Sequence, residues 1–142
     1  NFYIYFNSSD KYDYKFFFIP YDYDNTLGTS NIIDAGRQNP LEWGNANQML
    51  ISRLLRINKY RKIYVDALKE LCRSNEYFAA EGSIARIRMW QDMVRDYVPN
   101  DTGEDMEIRD VPAAWGNHPE YRLLERGANN YFEVKTAVVN AL

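Results

Sequence analysis

Two carboxylates near the start of the chain have the type and spacing that could bind a metal ion. Asp22 and Asp24 follow the apolar run 16–19, and alternate positions of an extended chain face the same side. Two carboxylates on one side repel each other unless a cation or a shared proton intervenes. Oxygen ligands of this kind suit a hard ion such as Mg²⁺, which often shares its remaining positions with phosphate.

The sequence around these carboxylates predicts a β-hairpin that would bring in a third ligand, Asn1. Two aromatic runs, 2–6 and 15–19, flank the polar turn residues 7–11. Antiparallel strands lie about 4.8 Å apart, so the open end of the hairpin is expected to bring Asn1 close to Asp22 and Asp24. The alternative is that both aspartates only end a strand and cap the following turn.

Each predicted strand is apolar on both faces, which predicts a hairpin covered on both sides. Residues 29–44 are polar and rich in Gly, Asn and Ser, as is typical of a long loop. Apolar residues then recur with helical spacing, and a last helix is predicted to start at Asn117 with Pro119 in its first turn. The expected fold class is therefore mainly helical α+β, with about four helices after the hairpin.

Composition and charge exclude several classes of function. The chain has 142 residues, a net charge of −3 and an acidic pI near 5.2, so it lacks the basic surface expected for nucleic-acid binding. No apolar run reaches the roughly 20 residues that a transmembrane helix needs. The lone Cys72 excludes an intrachain disulfide and a cysteine-cluster zinc site, and the lone His118 excludes a histidine-rich metal centre. Cys72 is expected to be a small core residue.

The chain is expected to be one domain over residues 1–142, divided into a hairpin with the metal motif (1–28), a loop (29–44) and a helical part (45–142). It starts at Asn1 with neither an initiator methionine nor a signal peptide. We therefore expect it to be a fragment of a longer protein.

Two known ion and phosphate motifs do not fit the sequence. An EF-hand would need Glu at the twelfth position, where Ile33 stands, and the chain has no phosphate-binding glycine loop. The D-x-D-x-T segment from Asp22 to Thr26 resembles the first motif of haloacid-dehalogenase-type phosphatases, in which the first Asp is the nucleophile and the second the general acid. That fold needs further parallel strands, whereas the sequence after Gly28 has helical periodicity. A phosphatase is retained as an alternative.

A second resemblance covers nearly the whole chain. The segments Asn1-Phe2-Tyr3-Ile4-Tyr5, Phe16 to Pro20 and Tyr21-Asp22-Tyr23-Asp24 through Gly28 resemble the core signature of the CotH (spore coat protein H) kinase family. The region 49–72 is similar to the helical section of that family. One departure is Tyr21, which stands where the family often has Trp.

This resemblance implies an atypical protein kinase that transfers the γ-phosphate of ATP to Ser or Thr with Mg²⁺ or Mn²⁺. It implies that Asp22 binds the metal, that Asp24 is a second ligand, and that Asn1 corresponds to the metal-holding Asn that closes a kinase catalytic loop. Asn1 and Asp22 would also contact the bound nucleotide. The catalytic Asp and the nucleotide lid would precede Asn1, so this chain alone is expected to be an inactive, C-lobe-like portion.

The resemblance also implies a secreted, cell-surface or spore-coat location and a protein substrate, for which the acidic net charge would favour a basic partner. Arg37, in the loop after Gly28, is a candidate for contact with phosphate or substrate. A non-catalytic surface or coat interaction module with the same fold is the remaining alternative.

Overall fold

The structure is a computed structural model that describes residues 2–9, 11, 15–21, 27, 34–42, 49–74, 77–97 and 121–142. The described elements are an N-terminal hairpin, a short 3₁₀ helix and four α-helices. They are β1 (Phe2–Phe6), β2 (Phe16–Pro20), the 3₁₀ helix (Ala35–Arg37), α1 (Met49–Leu55), α2 (Asn58–Arg73), α3 (Ala80–Val94) and α4 (Tyr131–Asn140). The prediction of a mainly helical α+β fold that begins with a hairpin is confirmed.

The hairpin is a two-stranded antiparallel sheet whose register pairs Phe2 with Pro20 at its open end and Phe6 with Phe16 near the turn. Cross-strand ring contacts support this register, because the rings of Phe6 and Phe16 stack with their centroids 4.6 Å apart. Beyond the last pair, the Asn7 amide donates to the Lys15 carbonyl at 3.0 Å. The two aromatic runs therefore pair as their composition predicts.

The prediction that both faces of the hairpin are covered is wrong for this chain. The described side chains of both strands are exposed, including Tyr3 at 60% and Phe18 at 66%. None of the described helices packs closely against the two strands. The aromatic residues therefore contact mainly one another across the hairpin.

The first two helices form a consecutive pair, and α2 has an apolar face along its length. A short turn joins them, in which the Ile57 amide donates to the Leu54 carbonyl at 3.0 Å. Cys72 is buried near the end of α2, as expected for a small core residue. No helix in the described part of the chain is both long and apolar enough to cross a membrane.

Helix α4 is the central element, because it contacts α2, α3 and the 3₁₀ helix. The core cluster consists of Ala80 and Ile84 from α3 and Phe132 from α4. Phe78, just before α3, packs edge-on against the Phe132 ring with the centroids 5.2 Å apart. Burial of these side chains fixes the position of α4 against α3.

The prediction of a last helix that starts at Asn117 is wrong at its N-terminus. Asn117 lies outside the described residues, but Tyr121 and the residues up to Asn130 are not helical, and α4 begins at Tyr131. Gly127 has a backbone φ of +131°, which lies outside the helical region and which residues other than glycine rarely adopt. Asn130 then caps the helix. The prediction rested on an apolar stripe with helical spacing from Tyr121 to Leu142, and this stripe lies partly in a loop and partly in α4.

Candidate functional site

The three predicted metal ligands, Asn1, Asp22 and Asp24, lie outside the described residues, so their mutual proximity stays a prediction. The structure does describe the hairpin from which that prediction follows. Phe2, next to Asn1 in the chain, pairs with Pro20, which comes two residues before Asp22. The predicted antiparallel pairing is therefore present.

Described residues on both sides of the acidic motif are held in place. Immediately before it, the ring of Tyr21 stacks on the ring of Tyr3 with the centroids 4.4 Å apart and the planes 15° apart. After it, Leu27 packs against the core cluster of α3 and α4. In sequence, the motif thus lies between a residue that packs in the hairpin and a residue that packs against the helical core. Leu27 has a φ of 54°, a left-handed conformation that is uncommon for a non-glycine residue.

The segment 34–42, which follows the motif, has well-defined local contacts. Asp34 adopts a left-handed conformation (φ 56°, ψ 44°), which aspartate tolerates better than most residues, and it precedes the 3₁₀ helix. Arg37 Nη1 donates to both carboxylate oxygens of Asp34, at 3.1 and 3.2 Å. These two hydrogen bonds show that Asp34 orients Arg37. Farther along the segment, the side chain of Asn39 accepts a hydrogen bond from the Leu41 amide at 2.9 Å.

Tyr121 connects this segment to the helical part of the chain. Its side chain is only 2% exposed, and its hydroxyl donates a hydrogen bond to Oδ1 of Asp34. The ring lies against Gly36, and on its other side it meets the Tyr131 ring edge-on at 5.4 Å. Lys135 on α4 adds a second connection, because its Nζ donates to the Gln38 carbonyl at 3.1 Å.

These contacts shift the ionisation of the groups that make them. Burial, the hydrogen bond to Asp34 and the negative charge of Asp34 raise the pKa of Tyr121 to about 12. Burial alone would raise the pKa of Asp34, but the hydrogen bonds from Tyr121 and Arg37 outweigh it and lower that pKa. Burial lowers the pKa of Lys135, and the charge of Asp34 opposes that effect. At neutral pH Asp34 is therefore an anion held by a neutral phenol and a guanidinium.

Arg37 also borders a groove between the 3₁₀ helix and α4. The groove has a volume of about 520 Å³. Two charged residues, Arg37 and Glu133, line the groove together with five small or apolar ones: Gly127, Ala128, Val134, Ala137 and Val138. Arg37 was predicted to contact phosphate or substrate, and its position beside an open groove leaves room for such a contact.

The loop before α4 is closed by backbone and side-chain hydrogen bonds. The Arg122 amide donates to the Asn129 carbonyl at 2.9 Å, and the Arg122 carbonyl accepts from the Tyr131 amide at 3.0 Å. Asn130, 1% exposed, accepts from the Glu133 amide at 3.1 Å and donates to the Glu125 carbonyl at 2.8 Å. The loop therefore holds Tyr121 at the base of α4.

Glu133, in the first turn of α4, binds the same loop. Its carboxylate accepts from Arg126 and from the Gly127 amide. The hydrogen bond from Arg126, followed by that from Gly127, lowers the pKa of Glu133. The pairing of an N-cap Asn with Glu three residues later is a known helix-start signal, and it was missed in the sequence.

No group of three or more His, Cys, Asp or Glu side chains that could hold a metal ion occurs within the described ranges. The described residues also contain no parallel sheet of the kind that a dehalogenase-type phosphatase requires, since their only sheet is the antiparallel hairpin. The structure thus gives that alternative no support.

Within the described residues, a two-stranded antiparallel hairpin followed by four α-helices is the mainly helical α+β fold that the resemblance to the CotH kinase family implied. Comparison with family models agrees, because the CotH kinase protein model matches residues 1–129. The chain therefore belongs to the CotH kinase family. No curated protein and no solved structure matches it. The match includes all three predicted ligands and also Asp34, Arg37 and Tyr121, whereas α4 follows its last residue.

Proposed function

We propose that the chain is the metal- and nucleotide-binding portion of a protein kinase that acts on Ser or Thr of a protein outside the cytoplasm. Asp22 and Asp24 provide carboxylate ligands for Mg²⁺ or Mn²⁺, and Asn1 provides an amide oxygen. Asn1 and Asp22 would also contact the bound nucleotide. The observation that carries the proposal is that the family match spans the whole hairpin and the acidic motif.

The donor chemistry supports this role. Two carboxylates and one amide supply oxygen atoms only, the set that suits a hard divalent cation and that leaves coordination positions for phosphate. When bound, the cation would neutralise charge on the phosphates during transfer. The residues of the chain would position it, with the hairpin supporting Asn1 and the Tyr3–Tyr21 stack supporting the chain just before Asp22.

Phosphoryl transfer depends on positioning and on charge neutralisation more than on covalent participation of the protein. A kinase also needs a catalytic Asp near the acceptor hydroxyl and a cover for the nucleotide, and the resemblance assigns neither to a residue of this chain. We propose that the residues of this chain contribute the ion and nucleotide contacts of the intact kinase. An acidic net charge of −3 favours basic protein substrates.

A test of this proposal is calorimetric titration of ATP in the presence of Mg²⁺ or Mn²⁺. It uses this chain and the longest natural polypeptide that contains it. Asp22→Ala and Asp22→Asn remove the proposed ligand charge, the latter with almost no change of shape. Asp66→Ala is the matched control, because Asp66 is an exposed carboxylate of α2 that pairs with Lys62 at 2.6 Å.

Metal-dependent ATP binding that falls by about tenfold or more in both Asp22 variants, and that is unchanged in Asp66→Ala, is the expected result. Equal binding by Asp22→Ala and the unchanged protein would remove Asp22 from the site. No binding by any of the proteins would favour the non-catalytic interaction module.

A further inference from the structure

The hydrogen bonds of Tyr121, Asp34 and Arg37 form a continuous chain from the buried interior to the groove. The phenol donates to Asp34, and the same carboxylate accepts twice from Arg37 Nη1. The two ends differ in environment, because Tyr121 is almost fully buried whereas Arg37 is half exposed. We refer to these three residues as the Tyr121 clamp.

The close packing around the clamp leaves little alternative geometry. Gly36 lies so near the Tyr121 ring that a side chain there would collide with it, and Lys135 holds the carbonyl of Gln38. The Arg37 amide donates to the Asp34 carbonyl at 3.0 Å, which closes the 3₁₀ turn. Segment 34–42 is therefore attached to the helical unit by both side-chain and backbone contacts.

The clamp is separate from the supports of the acidic motif. Tyr21 is held by Tyr3 in the hairpin, and Leu27 is held by the core cluster of α3 and α4. Neither contact involves Tyr121 or Asp34. Loss of the Tyr121 hydroxyl should consequently loosen segment 34–42 while it leaves both described supports of the motif in place.

We propose that Tyr121 is a positioning residue, which through Asp34 fixes segment 34–42 and Arg37 for binding of the protein substrate. This inference rests on the proposed kinase function, because it assigns the substrate side of the same site to the segment that follows the metal motif. It separates two properties of the site. Ion and nucleotide binding depend on the hairpin, and acceptor binding depends on the clamp.

The test compares Tyr121→Phe, which removes only the hydroxyl, with Tyr131→Phe. Tyr131→Phe is the control, because it removes a hydroxyl from the neighbouring half-buried ring and keeps the hydrogen bond between Tyr121 and Asp34. Asp34→Asn is the conservative variant, because its amide oxygen can still accept from Tyr121 and asparagine tolerates the left-handed backbone. All proteins are the longest natural polypeptide that contains the chain.

Three quantities are measured: hydrogen exchange of the Arg37 amide, the Kd for ATP with Mg²⁺, and KM for the best acceptor peptide that the unchanged protein selects from a Ser/Thr peptide array. Tyr121→Phe should speed the exchange and raise KM, each by about tenfold, because a hydrogen bond to a charged group is lost. The Kd for ATP should change less than twofold. Asp34→Asn keeps an acceptor for the Tyr121 hydroxyl, so its exchange rate and KM should change less than those of Tyr121→Phe. Tyr131→Phe should leave all three quantities unchanged.

The outcomes that contradict the inference are distinct from those that contradict the function. Unchanged exchange in Tyr121→Phe would show that the clamp does not hold the segment. Faster exchange with an unchanged KM, or ATP binding with no acceptor in the array, would remove its role in substrate binding. If neither the unchanged protein nor its Asp22→Ala variant binds ATP, the proposed function fails, and the substrate role of Tyr121 fails with it.

Discussion

Gly36 and the ring of Tyr121 lie so close together that a side chain on Gly36 would overlap the ring. A Cβ atom built on Gly36 would lie 2.5 Å from Cζ of Tyr121, well inside van der Waals contact. The ring is buried and hydrogen-bonded, so it has no open space into which to move. The absence of a side chain at position 36 is therefore a condition for the contact between the 3₁₀ helix and Tyr121.

Substitution of Gly36 by alanine should destabilise the protein by about 2 kcal/mol, because either the ring or the 3₁₀ helix must move. Urea denaturation of the two proteins measures the difference. The control is the same substitution in a Tyr121→Ala background, where the obstructing ring is gone and alanine should cost less than about 0.5 kcal/mol. Equal losses in the two backgrounds would contradict the steric explanation.

The raised pKa of Tyr121, about 12 against an ordinary 10, predicts a loss of stability in alkali. Below pH 10 the folded and unfolded states both keep the phenolic proton, and the stabilisation is complete. Between pH 10 and pH 12 the unfolded state releases its proton while the folded state retains it, so the free energy of unfolding falls. The total loss is about 3 kcal/mol, since each pKa unit corresponds to about 1.4 kcal/mol.

Urea denaturation at several pH values from 8 to about 11.5, on the unchanged protein and on Tyr121→Phe, isolates this contribution from that of other tyrosines. The free energy of unfolding of the variant should fall less steeply above pH 10. Parallel curves for the two proteins would mean that Tyr121 ionises equally easily in both states.

Asn130→Ala should destabilise the protein by about 2 kcal/mol, because it removes the N-cap of α4 and leaves the Glu125 carbonyl without its side-chain donor. Asn140→Ala, at the exposed end of the same helix, should change stability by less than about 0.5 kcal/mol. Thermal denaturation compares the two variants. Asn130→Asp keeps an acceptor for the Glu133 amide and should fall between Asn130→Ala and the unchanged protein.

The stack of Tyr21 on Tyr3 should contribute to ion and nucleotide affinity in the proposed function. Tyr21→Ala removes the stack next to Asp22 and should weaken metal-dependent ATP binding by roughly fivefold, in line with about 1 kcal/mol for an aromatic pair. Tyr21→Trp, the residue that the family often has, should retain the affinity. Tyr3→Ala removes the same stack and should weaken ATP binding as much as Tyr21→Ala does. A loss of affinity in Tyr21→Ala but not in Tyr3→Ala would instead indicate that Tyr21 contacts the ion or nucleotide directly.

Local patterns predicted those elements whose structure depends on neighbouring residues. The aromatic runs on each side of a polar turn correctly predicted β1 and β2, and helical spacing correctly predicted the helices from α1 to α3. The start of α4 was predicted wrongly because an apolar stripe continues by coincidence through Tyr121 into the helix. Asn130 and Glu133, with Gly127 before them, carried the signal that would have corrected it.

Contacts between distant parts of the chain could not be predicted in this way. Tyr121 and Asp34 are 87 residues apart, and nothing in either neighbourhood indicates that they meet. The exposure of the hairpin was also beyond local reasoning, because an apolar strand predicts burial without saying which element covers it. The placement of Asn1, Asp22 and Asp24 around an ion stays a prediction.

The exposed faces of β1 and β2 have an energetic consequence for the proposed ion site. A two-stranded ribbon is only marginally stable in water by itself, and here none of the described helices packs closely against it. The proposed ligands Asn1, Asp22 and Asp24 would then come together only in the fraction of molecules in which β1 and β2 are paired. Measured affinity would equal the intrinsic affinity scaled by that fraction. A change confined to the turn at residues 7–11 could consequently tighten ion binding without altering any ligand.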